Sequence, residues 1–217
     1  MIVAAVLVAA GDGRRLGRDV PKAFVQVAGR TLLEHAAERF VDHPAVRDVV
    51  VVAPAALVES AQDLVKAAVV PGGRTRQESV ARGLAATAED VDLVLVHDVA
   101  RAFVPAEVID RVVAALSAGA DAVIPVLPVV DTIKQVDDGN AVVDTLRREQ
   151  LRIVQTPQGF RRDVLVRAHG EPGDGDAPDD AALVEAMGVR VVVVDGSDES
   201  FKVTRPRDLT LAEVHLS

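Results

Sequence analysis

Runs of four to seven apolar residues alternate with stretches in which apolar positions recur at helical spacing, along nearly the whole chain. The runs at residues 2–8, 49–52, 93–96, 122–126 and 191–194 are almost unbroken and rich in Val. Strands buried on both faces of a parallel sheet have this composition, because neither face meets water. Between them, Thr31-Leu32-Leu33-Glu34 has the spacing of a capping box, and Leu32, Leu33, Ala36, Ala37, Phe40 and Val41 continue a helical stripe. Pro105 fits the first position of a helix carrying Val108, Ile109, Val112, Val113 and Leu116, with Gly119 as its stop. Asp179 or Asp180 caps a further helix that carries Leu183, Val184 and Met187 and closes at Gly188. Strands alternating with helices predict a doubly wound α/β sheet.

One stretch breaks the rhythm. Residues 131–156 turn β-like: Thr132-Ile133-Lys134-Gln135-Val136, then Asp137-Asp138-Gly139-Asn140, then Ala141-Val142-Val143. Asp-Gly between two such segments signals a hairpin. Leu151, Ile153 and Gln155 suit a third extended segment. An antiparallel excursion of this kind either covers a sheet edge or projects as an arm. With no internal repeat and no Gly/Ser linker, the chain is expected to form one domain over residues 1–217.

Composition narrows the function. There is no Cys, which excludes a disulfide scaffold, a Cys-ligated zinc site and a thiol nucleophile. A net charge of −9 and only five aromatic residues, all Phe, argue against coating a nucleic acid, since phosphate backbones attract basic surfaces and single-stranded bases need stacking platforms. The apolar start, MIVAAVLVAA, resembles the core of a signal peptide, yet no Lys or Arg precedes it and it is too short to span a bilayer. It reads better as a buried strand running into a loop. The expected setting is the cytoplasm, with neither nucleic acid nor membrane as a partner.

Four segments carry candidate chemistry. The first is Ala9-Ala10-Gly11-Asp12-Gly13-Arg14-Arg15-Leu16-Gly17, followed by Pro21-Lys22. Glycines after a first strand let backbone N–H groups approach phosphate oxygens. A dinucleotide fingerprint would need its third Gly one residue earlier and a carboxylate ending the second strand, where Ala53-Pro54 stands. A P-loop would need Gly-Lys-Ser/Thr. A loop around a triphosphate, countered by Arg15 and Lys22, suits the residues present, and the plain alternative is a strand-to-helix turn with solvated arginines. The second segment, His97-Asp98-Val99-Ala100-Arg101, ends an apolar strand, where open α/β sheets place their ligands. Asp98 there can meet a phosphate-bound Mg²⁺ and Arg101 can hold a phosphate, or the two can simply pair. His97 is read as structural.

The third segment, Gly72-Gly73-Arg74-Thr75-Arg76-Gln77-Glu78-Ser79, permits close approach to a flat base and offers the Ser79 hydroxyl; an ordinary loop leading into a helix is the competing reading. In the fourth, Phe201-Lys202-Val203-Thr204-Arg205-Pro206, Lys202 either reaches a cleft or lies solvated on the surface. The acidic run at residues 171–180 lacks the order of an EF-hand and reads as a solvated loop.

Together with Asp131-Thr132-Ile133-Lys134 and Thr156-Pro157-Gln158-Gly159-Phe160, these motifs recur in one order over essentially the whole chain, which resembles the 2-C-methyl-D-erythritol 4-phosphate cytidylyltransferases of the non-mevalonate isoprenoid pathway. The resemblance implies a Rossmann-like, mostly parallel sheet of the nucleotidyltransferase type with a projecting antiparallel β-arm. It implies an enzyme joining CTP to methylerythritol phosphate with Mg²⁺ or another divalent cation, held mainly by the CTP phosphates, with Asp98 as the candidate protein ligand. By the same resemblance Ala9, Ala10, Gly11 and Gly13 line the nucleotide, and Gly72, Gly73 and Ser79 read the cytosine and its ribose. Arg15, Lys22 and Lys202 are the catalytic cations. Asp98, Arg101 and Thr156 form the sugar-phosphate side. The arm makes a homodimer and lends Thr132 and Arg148 to the neighbouring site. Pro178 departs from the family's usual Thr before the acidic pair, and Val99 from its frequent Ala. Two other functions stay open on the residues: a cytidylyltransferase for another polyol phosphate, such as ribitol 5-phosphate, and a non-catalytic nucleotide-binding module. A nicotinamide oxidoreductase is disfavoured by the glycine spacing.

Overall fold

A computed structural model describes residues 1–11, 20–170 and 177–216. In chain order its elements are β1 (Val3–Val8), β2 (Gln26–Val27), β3 (Arg30–Thr31), α1 (Leu32–Val41), β4 (Asp48–Ala53), α2 (Val58–Leu64), β5 (Ala68–Pro71) and α3 (Arg76–Ala85). Then follow β6 (Leu93–Asp98), α4 (Ala106–Ser117), β7 (Ala122–Pro128), β8 (Ile133–Val136), β9 (Val142–Leu146), β10 (Arg152–Val154) and β11 (Gln158–Arg161). The chain closes with α5 (Arg162–Gly170), α6 (Asp180–Ala186), β12 (Val191–Asp195) and α7 (Pro206–His215). No helix among the described residues is long and apolar enough to cross a membrane.

The main sheet runs β10-β7-β11-β6-β1-β4-β5, with β12 on the other side of β7. β1, β4, β5 and β6 pair in parallel, as do β7 and β12, while β10 and β11 run antiparallel to their neighbours. The five apolar runs are β1, β4, β6, β7 and β12. Along β1 and β6, alternate residues serve opposite layers, as the two-residue period of a strand requires. Val3, Ala5, Leu7, Leu93 and Leu95 pack with residues of α1, α4 and α7. Ala4, Val6, Val94 and Val96 pack with residues of α3, α5 and α6. Each such Val or Leu contributes about 1.5–3 kcal/mol on burial, so a polar residue in these runs would be expelled from either face.

Local expectations are met with two adjustments. Thr31 and Glu34 form the capping box of α1, with Thr31 Oγ1 accepting from Glu34 N at 3.2 Å and Glu34 Oε2 accepting from Thr31 N at 2.7 Å. Gly119 and Gly188 take left-handed φ values of 105° and 77° just beyond α4 and α6. Pro105, expected as the first residue of α4, is its N-cap instead; its ψ of 149° is extended, so the helix starts one residue later. The hairpin turns at Asp137–Asn140, but Asn140, not Gly139, holds the left-handed position (φ 61°), and Asp137 Oδ1 accepts from Gly139 N and Ala141 N at 2.9 Å each.

The excursion is split. β8 and β9 form a separate two-stranded ribbon, whereas the third extended segment leaves it and pairs with β7 as β10. β11 then wedges between β6 and β7. A side chain at Gly159 would meet Val112 Cγ1 at 2.4 Å and Leu116 Cδ1 at 2.8 Å, so only glycine lets α4 lie this close on β11.

Candidate active site

The parallel strands deliver their carboxyl ends to one cleft of about 290 Å³. Ala9, Ala10 and Gly11 enter it from the end of β1, Gly73 and Ser79 from the β5–α3 connection, and Asp98 from the end of β6. Lys22 and Lys202 also line it. Gly13 and Arg15 lie outside the described residues. Short backbone bonds fix the floor: Ala9 N donates to Val52 O at 2.9 Å, Gly72 N to Ala53 O at 2.8 Å, and Val99 N to Val8 O at 3.2 Å. Val99 is buried at this floor, so its extra methyl groups over alanine are spent on the core as well as on the wall.

The glycine pair is shaped by close approach. A Cβ on Gly72 would stand 2.5 Å from Ala10 Cβ and 3.1 Å from Ser79 Oγ. The Ser79 hydroxyl donates to Thr75 O at 2.8 Å and accepts from Gly73 N at 3.1 Å, so here it braces the loop. Thr75 caps α3 by accepting from Glu78 N at 3.1 Å, and Arg82 Nη1 donates to Gly72 O at 2.7 Å.

Asp98 lies between two cations. Its Oδ2 accepts from Lys202 Nζ at 2.6 Å and its Oδ1 from Arg76 Nε at 3.3 Å. Burial acts to raise the Asp98 carboxyl, but the charges of Arg76 and Lys202 and the lysine hydrogen bond outweigh it and hold the group well below the usual carboxylate range. Arg76 Nη1 in turn donates to Asp180 Oδ2 at 2.7 Å, and His169 Nε2 meets Asp180 Oδ1 at 3.0 Å. The sequence marks no site role for Arg76, Asp180 or His169 beyond the place of Arg76 in Gly-Gly-x-x-Arg, and nothing in the spacing connects residues 76 and 180. Of the two candidate caps of α6, Asp179 takes the role, with Oδ1 accepting from Ala182 N at 2.9 Å, while Asp180 is fully buried.

Arg101 and Thr156 lie behind the cleft wall. Arg101 donates to Ser200 O at 2.8 Å and to Val154 O at 3.0 Å, which ties the Lys202 segment to β10. Thr156 Oγ1 accepts from Asp98 N at 3.1 Å and donates to His97 Nδ1 at 3.0 Å. His97 Nε2 faces Arg101 O at 3.2 Å, which makes it the protonated nitrogen of a neutral ring. Thus His97 is structural, as the sequence suggests. The residues leading out of the arm serve in succession: Val154 O holds Arg101, Gln155 exchanges hydrogen bonds with Ser197, Thr156 holds Asp98, and Gln158 holds Asp179 and Ala181. Thr132 and Arg148 lie beyond this cleft, at the base of the ribbon, where Arg148 Nη1 donates to Val130 O at 2.6 Å.

Burial pushes the His97 ring down to about 4, against the pull of Asp98 that would raise it. As pH falls below about 6.5 the unfolded chain takes up the proton first, so this contribution is complete above that pH and lost toward pH 4. The full difference is about 3 kcal/mol. Urea unfolding of the unliganded protein at pH 7 and pH 4.5 should show the decline, and His97→Asn should flatten it by roughly 2 kcal/mol. An unchanged pH slope in the variant would place the acid sensitivity elsewhere.

The residues can hold a divalent cation only with help. Asp98 offers one carboxylate, and no cluster of three or more His, Asp or Glu exists among the described residues. This fits Mg²⁺ carried by ligand phosphates, since that ion is usually bound through one or two carboxylates and retains other oxygen ligands. A cleft lined by Lys22, Lys202, Arg74, Arg76 and a glycine-bearing backbone suits a polyphosphate ligand.

Comparison with known proteins agrees with this geometry. A family model described as IspD, 2-C-methyl-D-erythritol 4-phosphate cytidylyltransferase, matches residues 3–217. The protein of that name from Rhodococcus jostii is 51% identical over 212 residues, covering 97% of this chain and 93% of its own. Its counterpart from Streptomyces avermitilis is 48% identical over 229 residues, covering 99% and 91%. Among solved structures, the Thermus thermophilus 2-C-methyl-D-erythritol 4-phosphate cytidylyltransferase superposes with a TM-score of 0.82 at 42% identity over 99% and 98% of the two chains. The 4-diphosphocytidyl-2C-methyl-D-erythritol synthase of Anaerococcus prevotii gives 0.88 at 27% identity over 99% and 96%.

Proposed function

The chain belongs to the 2-C-methyl-D-erythritol 4-phosphate cytidylyltransferase family, and from that membership we propose how its cleft divides the work of the reaction. The enzyme joins CTP to 2-C-methyl-D-erythritol 4-phosphate, giving 4-diphosphocytidyl-2-C-methyl-D-erythritol and pyrophosphate in isoprenoid precursor biosynthesis. An oxygen of the substrate phosphate attacks the α-phosphorus of CTP in line. The bond from the α-phosphorus to its bridging oxygen breaks, and pyrophosphate leaves with the electron pair. A phosphate monoester is already anionic near neutral pH, so the chain needs no side-chain nucleophile. Its task is to bring two anions together and stabilise the charge that builds on the α-phosphoryl group.

Lys22 and Arg15 grip the triphosphate, and Lys202 faces the joining phosphates. Ala9, Ala10, Gly11 and Gly13 line the nucleotide; Gly72, Gly73 and Ser79 shape the place of the base and ribose. Asp98 anchors Lys202 and offers an oxygen to Mg²⁺ held by CTP. When bound, that ion neutralises phosphate charge. Arg101 and Thr156 keep Asp98 and the Lys202 segment in place. The observation that carries this reading is the convergence of Lys22 and Lys202, from distant parts of the chain, on one cleft with glycine-lined backbone. None of the relatives described above bears the name of a ribitol phosphate enzyme, and a binding-only module would have no use for cations from two segments.

The ribbon β8–β9 supports a homodimer in which Thr132 and Arg148 serve the neighbouring copy. A lone two-stranded hairpin is marginal in water, and this one exposes Val136, Val142 and Val143, with Val130 and Ile153 exposed at its base. CTP is a cytoplasmic metabolite, which supports placing the enzyme there. The test is pyrophosphate release from CTP and methylerythritol phosphate with Mg²⁺. Turnover should vanish with EDTA, be much slower with ribitol 5-phosphate, and fall on dilution in step with dimer dissociation. Full turnover in EDTA would remove the metal, and undiminished activity as a monomer would remove the shared site.

A further inference from the structure

From the interior to the cleft the charges form one chain: His169 and Asp180 behind the wall, then Arg76, Asp98 and Lys202 lining the cleft, with successive contacts of 3.0, 2.7, 3.3 and 2.6 Å. The Asp180 and His169 side chains are 1% and 4% exposed, and Lys202, at the other end, is 39% exposed. Stability alone is a weak reason for such a chain, because buried ion pairs roughly break even against apolar packing. What the chain does provide is geometry. A guanidinium is a rigid fork, and here its two arms are gripped by carboxylates from different elements, Asp98 ending β6 and Asp180 opening α6. α6 is itself fastened to β11 through Gln158, which accepts from Ala181 N at 3.1 Å and donates to Asp179 at 2.8 Å.

We propose that Arg76 and Asp180 are positioning residues for the cytidylyl transfer. Asp180, held in the protein interior, fixes Arg76; Arg76 supports one oxygen of Asp98; the other oxygen then presents Lys202 to the joining phosphates. Asp180 acts without touching substrate, through three successive contacts. The backbone around Lys202 is separately pinned, with Val203 N donating to Ala100 O at 2.8 Å and Arg101 holding Ser200 O, so the relay sets the ammonium and not the loop.

The proposal rests on Lys202 being a cation of the reaction, and a double-mutant cycle separates the two claims. Pyrophosphate release is measured for the wild type, Asp180→Asn, Lys202→Ala and the double variant at saturating CTP. Asp180→Asn is expected to lower kcat about 10- to 100-fold with little change in the KM for CTP. Lys202→Ala is expected to lower it further, and the double variant to match Lys202→Ala alone. Losses that multiply, or an Asp180→Asn enzyme within twofold of wild type beside a crippled Lys202→Ala, would overturn the relay. Normal turnover of Lys202→Ala would instead overturn the assignment of Lys202. Should Asp180→Asn fail to fold, Arg76→Lys replaces it in the cycle: one ammonium cannot bridge both carboxylates, so a comparable loss is expected, and full activity would refute the bridge. A second readout is independent of turnover. The Lys202 ammonium resonance, assigned by its absence in Lys202→Ala, is expected to persist in the wild type and disappear in the relay variants; its persistence there would also overturn the proposal.

Discussion

Lys22→Ala is expected to lower kcat about 100- to 1000-fold, the usual effect of removing one preorganised electrostatic donor from a transition state. The fold should survive. Lys22 opens a single 3-10 turn whose backbone bonds, Phe24 N to Pro21 O at 2.9 Å and Val25 N to Lys22 O at 3.1 Å, do not involve its side chain. The residues that anchor that turn in the core are Ala23 and Val25. Melting temperature should therefore change little beside the collapse of turnover, because Ala23, Val25 and both backbone bonds of the turn stay in place. The measurement is kcat at saturating CTP alongside a thermal melt. Near-normal turnover would remove Lys22 from the reaction, and a large fall in melting temperature would make its role structural.

Asp98→Ala should damage both stability and rate. Removing one partner of a buried ion pair costs up to about 3–5 kcal/mol, because the remaining charge is left uncompensated. Two features moderate this here. Arg76 keeps Asp180, and Lys202 is exposed enough to turn toward water. The expected loss is therefore about 2–3 kcal/mol by urea unfolding. Turnover should fall at least as far as in Asp180→Asn, since the carboxylate that presents Lys202 is gone. A variant as stable as wild type would mean that Arg76 and Lys202 find other partners. Asp98→Asn, which keeps the shape and one acceptor, should be the milder change.

How much of this was legible beforehand follows from what each element needs. The parallel strands announce themselves because both faces of β1, β4, β6 and β7 are buried, which leaves no room for polar alternation. β11 gives no such signal. It is four residues long, includes Gly159 where α4 presses down, and starts with Gln158, whose polar side chain is buried to hold α6. Pro105 stands one residue before its expected place because proline suits both the first helical position and the extended residue ahead of it. At the site, Ala9, Gly73, Asp98 and Lys202 could be found because they follow or end readable segments. Arg76 has a signal in the Gly-Gly-x-x-Arg spacing, but its link to Asp180 and His169 does not, because an ion pair across 104 residues leaves no trace in local spacing. Thr132 and Arg148 came from resemblance alone, and their place on the ribbon keeps them away from the cleft of their own chain.

The way the chain returns from the ribbon limits where its length can change. Val154, Gln155, Thr156 and Gln158 each fasten a different part of the site, so they act as a ruler laid along it. One residue gained or lost between Val154 and Gln158 would slip these marks against one another, throwing Arg101, the Ser197 turn, Asp98 and α6 out of step. At the other end, the turn from Asp137 to Asn140 is exposed and fastens nothing but itself. Loop-length variation in this protein is therefore a matter for the tip of the arm and not for its root.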